Sequence, residues 1–432
     1  MSKNENKISM WHIYPLGALD DDRTLADLVP WLDYAQELGC NAIALGPIFL
    51  SSTHGYDTLD HYQIDPRLGT RDDFDRFLQA AHSRDMKVIL DGVFNHVGRN
   101  HPAVVQARKE GADSSSPWKM KADYSPLKRG EEPYWYYFEG HDTLITLDHT
   151  DHGTRNAITQ VMNYWLEAGI DGWRLDAAYA LEPEHWAQIL QPVRQRFPHA
   201  WIVAEVIHGE YAQMAKLAGW DSLTQYELWK AIWSSLNDAN FFELDWTLKR
   251  HGELCQDLLP MTFISNHDVT RIASKLDCED HVGLAVALLA TLPGQVSVYY
   301  GDEVGFSGVK EDRPGGDDAV RQALPATPEQ MRTNDRAQRY WHWYASLLYL
   351  RRTHPWLQSA SISVEHLDHT ILRYRCSGEN DSLVVVLNAG NDPFSRSESF
   401  LCDIGEVLAG QFDASEDGEV LRANAYLIGR TA

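Results

Sequence analysis

Gly172-Trp173-Arg174-Leu175-Asp176-Ala177-Ala178 is a short apolar run that breaks into charge at its end. A strand buried on both faces carries continuous apolar residues rather than an alternating pattern, and this segment reads that way. Arg174 and Asp176 stand two residues apart, so a strand points both to the same face. A single carboxylate at a strand end is most often a cap for the helix that follows. Three other segments of the chain end in the same manner, however. They are Asp91-Gly92-Val93-Phe94-Asn95-His96, Ala204-Glu205-Val206-Ile207-His208 and Phe263-Ile264-Ser265-Asn266-His267-Asp268.

Outward from these four, eight short β-rich runs are recognisable. They are Met10 to Leu16, Asn41 to Phe49, Lys87 to Phe94, Gly172 to Asp176, Trp201 to Ile207, Ser222 to Glu227, Met261 to Ser265 and Val296 to Tyr300. Amphipathic stretches such as Leu25 to Leu38, Arg71 to Arg84 and Arg155 to Ala168 lie between them. Strands alternating with helices imply βαβ units and a parallel sheet. Eight such units closing on themselves make a (β/α)8 TIM barrel, with a doubly wound sheet as the alternative on pattern alone. In a barrel the four charged strand ends would share one mouth, where such folds keep their active sites.

A longer gap follows the third strand. It contains Ser114-Ser115-Ser116-Pro117, Lys128-Arg129-Gly130 and the aromatic run Tyr134-Trp135-Tyr136-Tyr137-Phe138. Long loops of this kind are usually functional, and this one reads as a small excursion over the barrel mouth. After Pro355 the runs Ser361 to Val364, Ile371 to Tyr374, Leu383 to Leu387 and Ala425 to Ile428 predict a small antiparallel β domain. Covering a barrel end and binding a ligand are equally open roles for it. The expected organisation is therefore a barrel in two parts, 1–96 and 148–356, an inserted subdomain at 97–147 and a C-terminal β domain at 357–432.

The chain has 432 residues and a net charge of -24. An acidic surface of this size argues against nucleic acid as a partner. The polar N-terminus, Met1-Ser2-Lys3-Asn4-Glu5-Asn6-Lys7, has no apolar run behind it and does not read as a secretory signal. No stretch has the length of a membrane span, so a cytoplasmic protein with no membrane partner is expected. The five cysteines, Cys40, Cys255, Cys278, Cys376 and Cys402, form no CxxC pair, which argues against a disulfide framework or a thiolate metal site. Fifteen Trp and nineteen Tyr can fill a core or stack on sugar rings, and composition alone favours the core.

The strand ends fit one chemistry. Breaking an acetal needs a proton on the leaving oxygen and stabilisation of an oxocarbenium-like centre, which two carboxyl groups supply. Arg174 on the face of Asp176 would hold that carboxylate ionised and nucleophilic. Glu205 would have to be protonated, through a dry setting or the nearby charge of Asp176 and Asp268. The imidazoles of His96 and His267 can donate to sugar hydroxyls.

These four segments resemble, in order and in strand position, the signature regions of glycoside hydrolase family 13, the α-amylase family. His54-Gly55-Tyr56-Asp57-Thr58-Leu59-Asp60-His61-Tyr62, Leu144 to Asp148 and Tyr299-Tyr300-Gly301-Asp302-Glu303 extend the resemblance to essentially the whole chain. The resemblance implies that Asp176 is the nucleophile of a retaining mechanism, that Glu205 is the acid and then the base, and that Asp268 binds ring hydroxyls. It also implies that Arg174, His96 and His267 line the subsite of the attacked ring, with Tyr56 stacking beneath it and His54 nearby. Asp317 and Arg321 fall in a Gly-Gly-Asp-Asp segment similar to a further sugar-binding loop, one residue short of the family spacing.

Departures from the family pattern shape the expected function. Calcium-dependent α-amylases end the fourth-strand motif in Lys-His, where this chain has Tyr179 and Ala180, although Asn95 matches a ligand position. Asp20-Asp21-Asp22-Arg23 lacks the alternating Asp-x-Asn-x-Asp of some relatives. No required metal and no cofactor are expected. Relatives that remove single glucose units carry an Asp three residues before the stacking Tyr. Thr53 stands there in this chain, and His54-x-Tyr56-Asp57-Thr58 is similar to α-amylases, neopullulanases and cyclomaltodextrinases. The missing signal peptide points to their intracellular members, and the N-terminal β domain many of them carry is absent, so their dimer is not assumed. The resemblance thus implies a hydrolase of mainly α-1,4 bonds in maltooligosaccharides or cyclodextrins. A transglycosylase or phosphorylase with the same triad is the alternative. A catalytically dead barrel would be expected to lack acidic residues that are all present here.

Overall fold

The computed structural model describes residues 7–20, 22–125, 132–313, 315–395, 404–415 and 418–431. Residues 1–6, Asp21, the Lys128-Arg129-Gly130 stretch and Cys402, all noted above, lie outside the described residues. The fold is a (β/α)8 barrel with a C-terminal antiparallel sheet. Its eight parallel strands belong to one sheet. They are β1 (Ser9–Ile13), β2 (Ala42–Leu45), β3 (Lys87–Gly92), β4 (Gly172–Leu175), β5 (Trp201–Ala204), β6 (Ser222–Leu223), β7 (Met261–Thr262) and β8 (Gln295–Tyr299). Each falls within or overlaps one of the eight runs read from sequence. Contacts group the chain into two compact units, Ile13–Leu32 with Ala42–Leu223, and Met1–His12 with Asp33–Asn41 and Thr224–Ala432.

In the first of these units β2 to β6 pair in sequence order, each parallel to the next. Helices return the chain between them: α1 (Arg71–His82), α2 (His152–Ala168), α3 (Pro183–Arg196) and α4 (Tyr211–Ala218). Short parallel strands joined by helices make these βαβ units. Thr70 caps α1 in a capping box, its hydroxyl and amide both meeting Asp73. Asp151 caps α2 by accepting from the Thr154 amide. Gly172 is required where it stands: a Cβ there would lie 2.1 Å from the Trp201 carbonyl oxygen across the β4–β5 ladder.

The long loop after β3 folds on a core of its own. His96–Gly98 pairs antiparallel with Leu144–Thr146, and a helix at Pro102–Glu110 packs with Met120, Trp135, Ile145 and Leu147. The aromatic run divides by strand alternation: Trp135 is buried, while Tyr134 and Tyr136 face out.

In the second unit β1 pairs with β8, Ser9 opposite Val296, and β8 pairs with β7. First strand beside last strand, both parallel, marks a sheet closing on itself rather than a doubly wound one. The sixth run is shorter than expected. Only Ser222–Leu223 is strand, because the Gln225 side chain accepts from the Leu228 amide and starts a helix at Tyr226–Asn237. The C-terminal sheet contains β9 (Ser361–Leu367), β10 (Ile371–Ser377), β11 (Ser382–Asn388), β12 (Ile404–Gly410) and β13 (Ala425–Thr431), in the order β9-β10-β11-β13-β12. β12 escapes a sequence reading because it is an edge strand, mostly exposed, with no clean alternation. One face of this sheet buries Ile371, Val384, Val386 and Leu427. On the other, the Tyr374 hydroxyl meets Thr291 Oγ1 at 2.5 Å.

Candidate active site

Arg174 is the centre of the first cluster. Its Nη1 reaches both oxygens of Asp91 at 2.9 Å and Asp176 Oδ1 at 2.8 Å, and its Nη2 lies 2.8 Å from Glu205 Oε1. Strand ends produce this convergence. Arg174 sits in β4 directly opposite Asp91 in β3. The Asp176 amide extends that ladder by donating to the Gly92 carbonyl, and the Glu205 amide does the same to Leu175. Asp91, Asp176 and Glu205 are all buried. Burial works against the charge of Arg174, but Asp91 and Glu205, followed by Tyr56 and Asp176, outweigh it and hold the guanidinium well above its ordinary pKa.

The turn after β4 adds a backbone donor. Ala177 has φ 45°, a left-handed conformation that costs an alanine about 1 kcal/mol. That turn directs the Ala177 amide at Glu205 Oε2, 2.9 Å away. Both oxygens of Glu205 therefore have a donor beside them, which fixes the orientation of the carboxyl group and leaves a second lone pair on each oxygen to carry a proton.

The loop after β2 brings Tyr56 to the same cluster. Gly55, at φ 92°, makes the turn possible, since a Cβ there would meet Pro47 at 2.8 Å. The Tyr56 hydroxyl donates to Asp91 Oδ2 at 3.1 Å, and its amide donates to His54 Nδ1 at 3.3 Å. Thr53 turns to Asp57, its hydroxyl 2.7 Å from Oδ2. His96 is buried, and desolvation pushes it down to about 3, so it is neutral and carries one N–H. That N–H, on Nε2, goes to the Tyr56 carbonyl at 3.1 Å, while Nδ1 faces Asn95. A direct bond from His96 to a sugar hydroxyl requires giving up its hold on Tyr56. The His96 ring also stacks on Phe138 from the long loop, with centroids 4.6 Å apart. Beside Phe138, Glu139 accepts from the Tyr179 hydroxyl at 2.6 Å.

The remaining expected residues gather in the second unit. His267 Nε2 is 2.9 Å from Asp268 Oδ2, and Arg321 Nη2 is 3.0 Å from Asp268 Oδ1. Arg321 also donates through Nε to the His267 carbonyl and pairs with Asp317 at 3.2 Å. The Gly-Gly-Asp-Asp segment thus reaches Asp268 despite its shortened spacing. Asp268 is itself positioned through its amide, which donates to Asn266 Oδ1 at 2.8 Å. Among the described residues, no group of three or more His, Cys, Asp or Glu side chains is placed to share a cation.

Sequence reasoning quoted Asp91 but gave it no part, and missed the Ala177 amide. Asp91 was discoverable once β3 and β4 were taken as neighbours, because opposite charges then face each other across the ladder. Asp91→Asn is expected to lower kcat/KM by about 10- to 100-fold, equivalent to about 1.4–2.8 kcal/mol of barrier. Its guanidinium partner would lose a carboxylate that grips it with both oxygens. Steady-state kinetics on a chromogenic maltoside measure this, and an unchanged kcat/KM would remove Asp91 from the site.

Comparison with known proteins shows the family. A family model described as alpha amylase, catalytic domain, matches residues 18–366. The chain is 28% identical over 376 residues to a cyclomaltodextrinase of a Bacillus species, covering 84% of this chain and 65% of that one. It is thus matched to just under two thirds of that relative's length. It is 28% identical over 414 residues to alpha-amylase 3 of Dictyoglomus thermophilum, covering 85% and 81% of the two chains. Among solved structures, a debranching enzyme of Nostoc punctiforme soaked with acarbose superposes with a TM-score of 0.81 at 25% identity, over 98% of each chain.

Proposed function

This chain belongs to the α-amylase family of glycoside hydrolases, and on that premise we propose that it hydrolyses mainly α-1,4 bonds of maltooligosaccharides or cyclodextrins with retention of configuration. The observation that carries the retaining mechanism is the shared guanidinium: Asp176 and Glu205 each lie 2.8 Å from one amino group of Arg174. Carboxylates held as such near neighbours suit a double displacement, with a spacing of about 5 Å, better than an inverting reaction, which needs roughly 6.5–9.5 Å for a water.

In this reading Asp176 attacks the anomeric carbon while Glu205 gives its proton to the glycosidic oxygen. The leaving sugar departs as an alcohol, and the sugar left behind is esterified to Asp176. Glu205, now a carboxylate, takes a proton from water, and the hydroxide closes on the anomeric carbon to free Asp176. Arg174 keeps Asp176 anionic before attack. Tyr56, fixed by Asp91 and His96, offers its ring to the apolar face of the sugar. Asp268, with His267, Arg321 and Asp317, is assigned the ring hydroxyls, supported by how firmly Arg321 and His267 fix its carboxylate. The four cysteines among the described residues are all free, which suits the reducing cytoplasm. No helix among the described residues is long and apolar enough to cross a membrane.

A panel of maltotriose, maltoheptaose, β-cyclodextrin, pullulan, isomaltose, trehalose and sucrose tests the proposal. Cleavage of the maltooligosaccharides or of cyclodextrin is expected, with α-anomers released first. Release of β-anomers would rule out the double displacement. Longer transfer products would favour a transglycosylase, and a phosphate requirement a phosphorylase.

A further inference from the structure

The second unit contains a cavity of about 460 Å³ whose lining includes none of Asp176, Glu205 and Asp268. It is lined by residues from two helices, His281–Thr291 and Asp335–Thr353, and from the C-terminal β region. Its volume lies in the range of ordinary small-ligand sites, about 300–1,000 Å³.

The lining has an unusual chemistry. Trp343 and Tyr426 supply aromatic surface, and both are half-buried. Gly283 admits the indole, because a Cβ there would come within 3.1 Å of the Trp343 ring. Among the described residues, the Trp343 indole N–H, the Tyr426 hydroxyl and the Gln411 amide have no hydrogen-bond partner. Asn424 is half committed: its Oδ1 meets His281 Nε2 at 2.9 Å, which leaves its NH2 group without one. Four neutral side chains with unused donors or acceptors therefore converge on one concavity.

The charges at the cavity are already matched. Arg422 donates to Asp413 through Nη2 at 2.8 Å and again through Nε. Asp280 has Arg339 at 3.7 Å. An ion would find no unmatched countercharge among these residues. A neutral molecule with apolar faces and many hydroxyls would satisfy the aromatic surfaces and the open amides together.

From this combination we propose that the cavity is a second, non-catalytic carbohydrate site that takes a short neutral segment of α-glucan. Its identity as α-glucan rests on the function proposed above; the neutrality and polyhydroxyl character rest on the cavity itself. Binding here tethers a long chain to the protein without contact with the carboxylates.

The test uses full-length Asp176→Asn protein, which holds substrate without turning it over. Calorimetric titration with maltoheptaose, and separately with β-cyclodextrin, is expected to show two sites per chain. Trp343→Ala should weaken one of them at least tenfold. Because that change removes a packed ring, a second variant that leaves the packed rings in place, Tyr426→Phe combined with Gln411→Ala at the exposed Gln411, should do the same. With Asp176 restored, the same variants should hydrolyse maltotriose within about twofold of the parent rate. A single site in the parent, or two sites surviving in both variants, would overturn the proposal. Turnover of maltotriose reports on the reaction and the site count on the cavity, so the two readings fail separately.

Discussion

Asp176→Asn is expected to lower kcat on α-glucosides by at least about three orders of magnitude, the usual scale for loss of a nucleophile, with the fold intact. Asparagine has the same shape, and its amide oxygen can still accept from Arg174 Nη1, which lies 2.8 Å from Asp176 Oδ1. What disappears is the charge that attacks the anomeric carbon. Glu205→Gln should give a loss of similar size on maltosides but a much smaller one in the first-turnover release of fluoride from α-maltosyl fluoride, because fluoride departs without a proton, while the later hydrolysis of the ester, which needs Glu205 as base, stays slow on both. The two variants therefore separate nucleophile from acid: in the first turnover Asp176→Asn should fail on both substrates and Glu205→Gln mainly on the maltoside. The comparison also tests the bonds around Glu205. Its Oε1 faces Arg174 and its Oε2 faces the Ala177 amide, so the carboxyl group is held in place for the proton transfer that the fluoride does not need. Near-parental turnover by Asp176→Asn would sink the assignment, and equal losses by Glu205→Gln in the first turnover of both substrates would remove its acid role.

Much of this arrangement was legible in the sequence because it is local. Continuous apolar runs marked the eight strands, and the amphipathic stretch Arg71 to Arg84 marked a helix between them. Charge breaking out of β4 and β5 marked where Asp176 and Glu205 would stand. What stayed hidden depends on register and backbone conformation. That Arg174 grips Asp91 as well as Asp176 and Glu205 follows from β3 lying against β4, which no local pattern states. The donor from Ala177 depends on a left-handed turn at a residue other than glycine, where composition carries no warning. His96 read as a sugar ligand from its position alone. Its commitment to the Tyr56 carbonyl and its stacking on Phe138 come from two different loops, one about forty residues before it and one about forty after. β12 was missed because an exposed edge strand needs no apolar face.

Acid should destabilise this protein well before its carboxylates titrate. Burial pushes His96 and His101 down to about 3, and His61, His149 and His251 down to about 4. Several of these rings are pinned through Nε2 to backbone carbonyls: His61 to Val93, His149 to Phe94 and His251 to Pro293, at 2.8–2.9 Å. In the unfolded chain each takes up a proton near pH 6.5. Between about pH 6.5 and 4 the unfolded state thus binds more protons than the folded one, and stability falls as pH falls. The loss is about 2 kcal/mol for each ring at pH 5. Glu303 runs the other way. Burial raises it to about 7, so the folded chain keeps a proton there that the unfolded chain releases, and this offsets roughly one histidine. The net loss of about 8 kcal/mol by pH 5 rivals the whole unfolding free energy of an ordinary domain. Urea titrations should show stability nearly level from pH 8 to 7 and falling steeply below 6.5, with an uptake of about three to four protons on unfolding near pH 5.5. His149→Gln keeps a donor for the Phe94 carbonyl but has nothing to titrate, so it should lower that uptake by about one proton. An uptake below one proton in the parent would mean that these rings charge freely in the folded state, and acid lability would then have to come from carboxylates at lower pH.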